Sequence, residues 1–381
     1  MSARSHNFRS LEGLRGYMAW TVVVGHVLGL TGYIHWLPDF LTWNFINAGS
    51  AVNVFIIVSG FVITHLLMSR DEPYGPYITR RAFRIFPIYL VCLVIGGLTL
   101  VLNEFVRASP WLAGHENAAA VTAEIESHMG LHWLLHLGLV HGMVPDSVLP
   151  RASDAILGPA WSLSLEWQFY LVAPLLVGLM RRNLAWQLGV AASLIAGFLL
   201  FRTDLLGEWR RTSMLLLAIP LFLIGIFSRL YFDRLRQAPL WLVPTIGVVA
   251  AVIFRHSIRY ECVVWAIFLS ASILEVRPVD PGRERWVRML HALTANRWVT
   301  WLGQVSYSTY LVHLPFLSLL VFGSYEAFGW RSQKSMLGVM GVGCVLLIPL
   351  SRALFLGIEK PFNQLGGRIA RRRPVTVPQA S

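Results

Sequence analysis

The chain has 381 residues and a formal net charge of +12, with 55% hydrophobic and 14% charged residues. Soluble domains carry about 25% charged residues, so the composition excludes a soluble globular class and points to an integral membrane protein. The positive charge is nearly all arginine, in short loops between apolar runs. Orientation and anionic lipid headgroups account for most of it, nucleic acid does not, and some is left for an anionic substrate.

Residues 1–15 are polar and basic, with Arg4, Arg9 and Arg15, and lead into an apolar run at Tyr17–Leu30. This could pass for a signal peptide, but no small-x-small cleavage site follows, so a retained first span is expected. Further apolar runs fall at about 51–68, 85–104, 163–180, 184–201, 213–231, 239–254, 259–276, 299–322 and 336–357. Most approach the ~20 residues a crossing needs, 239–254 being short. The expected fold is an all-α integral membrane protein, a bundle of about ten transmembrane helices. Segment 131–143, with His132, His136 and His141, is too short to span and is expected to be interfacial or re-entrant. Cys92, Cys262 and Cys344 lie in separate apolar runs without a C-x-x-C pattern, so neither a disulfide nor a metal site is expected.

Arginines cluster in alternate loops: Arg70, Arg80, Arg81 and Arg84; Arg181 and Arg182; Arg229, Arg234 and Arg236; and several between 277 and 297. Loop 31–49 has no Lys or Arg, and loop 105–160 has only Arg107 and Arg151. This asymmetry predicts both termini cytoplasmic. Loop 202–211, with Arg202, Arg210 and Arg211 on the expected outer side, is the one poor fit. Domain 1–370 is read as one membrane unit, followed by a disordered basic tail, 371–381.

Four segments break the apolar pattern. In the first span Arg15 and His26 are eleven residues apart, which on a helix puts them within ~20° of one face and ~16 Å apart. An ionisable group at that depth marks a functional site by default, although a lone histidine can be satisfied by a carbonyl and an arginine at a helix start can be an anchor. Ser59-Gly60 near the middle of the second span permits close helix packing or the approach of a ligand to the backbone. Arg80, Arg81 and Arg84 resemble ordinary topology determinants, and as a site they suit the phosphates of a nucleotide-bearing donor. Ser162, Glu166 and Tyr170, after Trp161, share a face at i, i+4 and i+8. A carboxylate there must be protonated or paired. Ser306, Tyr310 and His313 share a face of the ninth span.

On this topology His26, Glu166 and His313 all fall in the outer half of the membrane. Their convergence would build a buried acid–base site in which a carboxylate orients an imidazole for proton abstraction from a hydroxyl. The arginines would lie on the opposite side.

These residues resemble the membrane acyltransferase-3 family. The resemblance rests on Leu11-Glu12-Gly13-Leu14-Arg15-Gly16 with His26, Ser59-Gly60-Phe61, and the Arg80/Arg81/Arg84-Pro87 block. It continues with Trp161 to Glu166, Phe169-Tyr170, and Gly303-Gln304-Val305-Ser306-Tyr307 through His313 and Pro315. Glu12 stands where the family carries Asp. No SGNH hydrolase-like extension is read, so the single-domain branch is expected.

The resemblance implies O-acyl transfer in the bacterial plasma (inner) membrane. The co-substrate would be acyl-CoA, most often acetyl-CoA, with no permanently bound cofactor, and the acceptor a hydroxyl of a glycan or a small metabolite. His26 would be the essential histidine with Arg15 its partner in the motif, Glu166 the essential acidic residue, and Arg80, Arg81 and Arg84 the phosphate ligands. Ser59 and Gly60 are assigned to the donor. Tyr310, His313, Trp161, Ser162 and Tyr170 are assigned to the substrate, Tyr310 and His313 by extension from geometry. A proton-coupled transporter is the main alternative, but no inverted repeat is found. An assembly subunit would not need the buried histidine and glutamate.

Overall fold

The computed structural model describes residues 8–70, 72–203, 205–278, 282, 284–330 and 332–372. Among them the regular structure is entirely helical. Lipid explains why: it offers no hydrogen-bond partner, so an apolar run must satisfy its own backbone.

The principal helices are α1 (Arg9–Leu30), α2 (Ala48–Ser69), α3 (Tyr74–Leu98), α4 (Leu100–Arg107), α5 (Met129–Leu137), α6 (Trp161–Met180) and α7 (Leu184–Phe201). They continue with α8 (Leu215–Leu230), α9 (Leu242–Ile253), α10 (Arg259–Val276), α11 (Glu284–Thr294), α12 (Arg297–Phe328), α13 (Gln333–Leu354) and α14 (Lys360–Arg372). Side chains cap several of them where the sequence changes from polar to apolar. Asn47 accepts from the Ser50 N–H at the start of α2, and Asn296 accepts from the N–H groups of Trp298 and Val299 at the start of α12.

Each predicted apolar run falls on a helix, and among the described residues six helical segments are long and apolar enough to cross a membrane. Of the other runs, α8 and α9 are short, with 16 and 12 residues. Helices α1 and α10 have the length but are too polar or charged by the same measure. The run at 85–104 is divided at Thr99 between α3 and α4. Because α3 already begins at Tyr74, Arg80, Arg81 and Arg84 lie within it. Helix α14 was not anticipated. It carries the start of the predicted basic tail as ordered helix to Arg372, and 373–381 lie outside the described residues.

Two backbone-to-backbone crossings fix the centre. A Cβ on Gly303 of α12 would lie 1.8 Å from the Glu12 carbonyl oxygen of α1, and one on Gly16 would lie 2.9 Å from the Gly303 nitrogen. Helices α1 and α12 run parallel and in step. Gly16 meets Gly303, and ten residues on, ~15 Å along both axes, His26 meets His313. At the second crossing, Gly60 of α2 faces the Phe222 carbonyl and Gly225 of α8, at 2.5 and 3.3 Å from a built Cβ. Gly60 therefore serves helix packing and is not on a cavity wall.

The segment before α6 dips into the protein. Residues 152–157, 159 and 160 are buried, so α6 begins below the surface.

Gly303→Ala should weaken the α1–α12 crossing, because the Glu12 carbonyl cannot yield as a side chain would. Overpacking of this kind costs about 1–3 kcal/mol or more, and the detergent-solubilised variant should melt at a lower temperature than the wild type. Gly189→Ala in α7, where a Cβ meets nothing within 4 Å, should leave melting unchanged or raise it.

Candidate active site

Two cavities approach each other along α1 and α2. The first, of about 990 Å³, is lined by Arg15 of α1, Arg70 just past the end of α2, Arg80, Arg81 and Arg84 of α3, and Arg371 of α14. Glu12, Glu72 and Glu166 are the carboxylates on its wall. Arg80 pairs with Glu72 at 2.9 Å and Arg15 with Glu12 at 3.6 Å, while Arg81 sits over the Tyr170 ring at 5.8 Å. Guanidiniums outnumber carboxylates on this wall, so it suits a multiply charged anion.

Glu166 belongs to this first cavity. Ser59 Oγ donates to Glu166 Oε1 at 3.1 Å, and the Tyr170 hydroxyl donates to the same oxygen. The expected convergence of Glu166 with the two histidines is not found. The reason is the buried segment before α6: the expected outer boundary of this span lies inside the protein, so Glu166, one turn further on, sits among the arginines. Ser59, Ser162 and Tyr170 line the same cavity.

His26 and His313 do meet. His313 Nε2 lies 3.2 Å from His26 Nδ1. His313 Nδ1 is 2.7 Å from the Tyr310 carbonyl oxygen, and His26 Nδ1 is 3.0 Å from that of Val22. Carbonyls only accept, so each Nδ1 carries the proton in the neutral rings. His313 Nε2 is then an acceptor for His26 Nδ1–H, and the lone pair of His26 stands on Nε2, which has no partner among the described residues. A backbone carbonyl and a second imidazole thus hold His26 in the orientation expected of a carboxylate.

The second cavity, of about 290 Å³, is lined by His26, Trp161, Asn103 and Ser318, with Arg107, Arg151, Asp154, Arg210 and Arg211. Asp154 is 5% exposed and gathers three arginines, Arg210 at 2.8 Å and Arg151 and Arg211 at 3.5 Å. Burial pushes its carboxyl up, but the guanidiniums of Arg210, Arg211 and Arg151 overcome this and hold it below the usual range.

Val52 and Tyr310 line both cavities. The Tyr310 hydroxyl donates to the Pro159 carbonyl at 3.0 Å and lies 2.9 Å from Ser162 Oγ, closing the wall between the two spaces. Arg15 and His26, on one face of α1, open into the first and second cavity respectively.

Sequence reasoning missed two contributors. Asn363, Gly367 and Arg371 face the first cavity from α14, and their i, i+4, i+8 spacing was the available signal. Glu359, just before α14, is buried and accepts from Ser308 Oγ at 3.0 Å. It is also the carboxylate that acts most strongly on Arg84. The histidine-rich segment lies apart from both cavities: His132, His136 and His141 are buried, the last two stacked 3.9 Å apart, and none lines either one.

The charged chamber and the paired imidazole lie within one bundle of helices, six of whose helical segments are long and apolar enough to cross a membrane among the described residues. The chain matches the model of the acyltransferase-3 family, an acyltransferase domain, over residues 8–354, and it belongs to that family. It is 25% identical to Acyltransferase MdmB of Streptomyces mycarofaciens over 98% of this chain and 96% of that one. It is 26% identical to Nodulation protein 10 of Rhizobium leguminosarum bv. viciae, over 98% and 97%. A Staphylococcus aureus protein with an O-acetyltransferase name is 24% identical over 97% of this chain, which covers 60% of that protein. No solved structure matches the chain.

Asp154→Asn should lower the melting temperature at neutral pH, since a carboxylate that satisfies three guanidiniums would be lost. Removing such a partner costs about 1–3 kcal/mol. The Asp154 pKa is depressed in the folded state, so its stabilising contribution is complete above the ordinary carboxylate range and lost as pH falls through the lower folded value. The melting difference between wild type and Asp154→Asn should therefore shrink in acid. A difference independent of pH would contradict this assignment.

Proposed function

We propose that the protein moves an acyl group, most simply acetyl, from acyl-CoA in the first cavity to a hydroxyl of a glycan in the second. The observation that carries this reading is the shared wall: two cavities of different chemistry separated by Val52 and Tyr310, with the free nitrogen of His26 beside it. The volume of the first cavity lies at the upper end of the ~300–1,000 Å³ usual for ligand sites, and its arginines suit a nucleotide's phosphates. The name of the Staphylococcus aureus relative supports O-acetyl transfer.

In this reading, Arg80, Arg81, Arg84 and Arg15 hold the CoA phosphates, with Arg70 and Arg371 at the same wall. Glu166, locked by Ser59 and Tyr170, fixes the charge balance around Arg81. The thioester reaches past Tyr310. His26 Nε2 accepts the acceptor's hydroxyl proton as its oxygen attacks the thioester carbonyl, and the C–S bond breaks. The proton then passes from His26 to the departing thiolate, giving an ester and CoA–SH. The Val22 carbonyl and His313 stabilise the imidazolium between these steps. This assigns His26 as a base and not as an acyl carrier.

The proposed setting is a bacterial plasma membrane crossed about ten times, with both termini and the first cavity cytoplasmic and the second cavity facing outward. The arginine asymmetry of the loops supports it.

Mass spectrometry of surface-glycan esters in a deletion strain tests the function. Wild type should restore the esters and His26→Ala at equal membrane level should not, general-base loss costing about 10²–10⁴-fold. Equal restoration by His26→Ala would overturn the assignment. Restoration by neither would move the acceptor away from surface glycans.

In a second measurement, purified protein given labelled acetyl-CoA without acceptor, and trapped cold at neutral pH where an acyl-imidazole survives, should accumulate no labelled protein. Labelled His26 would replace direct transfer with an acyl-histidine route.

A further inference from the structure

The second cavity carries more positive charge than its architecture requires. One buried carboxylate, Asp154, faces Arg107, Arg151, Arg210 and Arg211. The 2.8 Å contact from Arg210 and the 3.5 Å contacts from Arg151 and Arg211 all go to that carboxylate. Arg107 remains over: its guanidinium makes no hydrogen bond or ion pair among the described residues, yet it lines the cavity with His26. Burial and the neighbouring guanidiniums of Arg151, Arg210 and Arg211 push the pKa of Arg107 down, opposed in part by the Asp154 carboxylate.

Two further observations point the same way. Arg210 and Arg211 belong to the one loop whose charge opposes the arginine asymmetry of the chain, so topology does not explain them. They fold back onto Asp154 at the cavity. Arg151 holds a left-handed backbone, φ 56°, one of two non-glycine residues to do so among the described residues. An unconstrained arginine avoids that conformation. Here it keeps the side chain turned to Asp154.

We propose that the second cavity selects an acidic acceptor, a glycan carrying a phosphate or carboxylate close to the hydroxyl that is acylated. The acidic group binds Arg107 and the outer faces of the Asp154-held arginines, and so presents the neighbouring hydroxyl to His26. Asp154 acts as a spacer that fixes the guanidiniums in an arc. The volume of about 290 Å³ admits a single sugar unit and its acidic group, not a polymer segment. This inference rests on the acyl-transfer reading above and adds to it the charge of the acceptor.

The test measures the initial rate of ester formation in a deletion strain restored with wild type, Arg107→Gln, Arg107→Lys or Arg202→Gln at equal membrane levels. Esters are quantified separately in lipid-linked, acidic polymeric and neutral polymeric glycan fractions. Arg107 is chosen because it lies outside the ion pairs of Asp154. Arg202, stacked 5.7 Å over Phe198 and off the cavity wall, controls for loop charge.

Wild-type esters should appear in the lipid-linked or acidic fraction. The former would place the acidic group on the lipid carrier's phosphate and the latter on the polymer. Arg107→Gln should lower the rate about tenfold, the scale of one charge-assisted contact. Arg107→Lys should recover much of it, and Arg202→Gln should match wild type. Esters confined to the neutral fraction, or an unchanged rate in Arg107→Gln, would overturn the proposal while leaving acyl transfer intact. Absence of wild-type-dependent ester from all three fractions would overturn both.

Discussion

The site depends on the parallel crossing of α1 and α12. Without side chains at Gly16 and Gly303 the two backbones touch. Because the helices stay in step, the same contact brings His26 against His313 ten residues further on. Small residues substitute here for the hydrophobic driving force that lipid removes. The crossing also sets Arg15 and His26 along one line of α1, so a single helix serves both cavities. Displacing it by even one residue would turn His26 about 100° from its partner.

Charge divides the interior into two different environments around that line. In the first cavity, guanidiniums are only partly balanced by Glu12, Glu72 and Glu166, so a polyanion meets a prepared field. In the second, one carboxylate organises arginines around a small space beside an unpartnered imidazole nitrogen. Between them lie an apolar residue, Val52, and a hydroxyl network of Tyr310, Ser162 and the Pro159 carbonyl. The hydroxyls of this network come from α6 and α12, and its carbonyl comes from the segment just before α6. The carbonyl partners of His26 and His313 hold both rings in one tautomer, which leaves proton acceptance to a single nitrogen.

Much of this was legible in the sequence, for identifiable reasons. Apolar run length located a helix at every predicted run because lipid leaves few alternatives to a helix, and six helical segments among the described residues are long and apolar enough to cross. His26 and His313 stood out as ionisable groups in apolar helices, and they meet. Glu166 was placed with them incorrectly: a hydropathy window cannot tell a boundary at the membrane surface from one buried under a loop, and residues 152–160 form such a loop. Gly60 was ambiguous between ligand approach and packing, and only the position of α8 resolves it. Helix α14 was overlooked because 360–372 lacks an apolar run, although Asn363, Gly367 and Arg371 recur at helical spacing. Arg210 and Arg211 looked like an exception to a topology rule, and their partner Asp154 is 56 residues from Arg210, beyond the reach of local pattern.

The central claim is that donor and acceptor meet from opposite faces of the membrane. Sealed membrane vesicles with the arginine-lined cavity facing outward, supplied externally with labelled acetyl-CoA, test it most directly. The account predicts labelled ester on glycan inside the lumen and none on acceptor added outside with the donor. Ester formed on the same face as acetyl-CoA would contradict it.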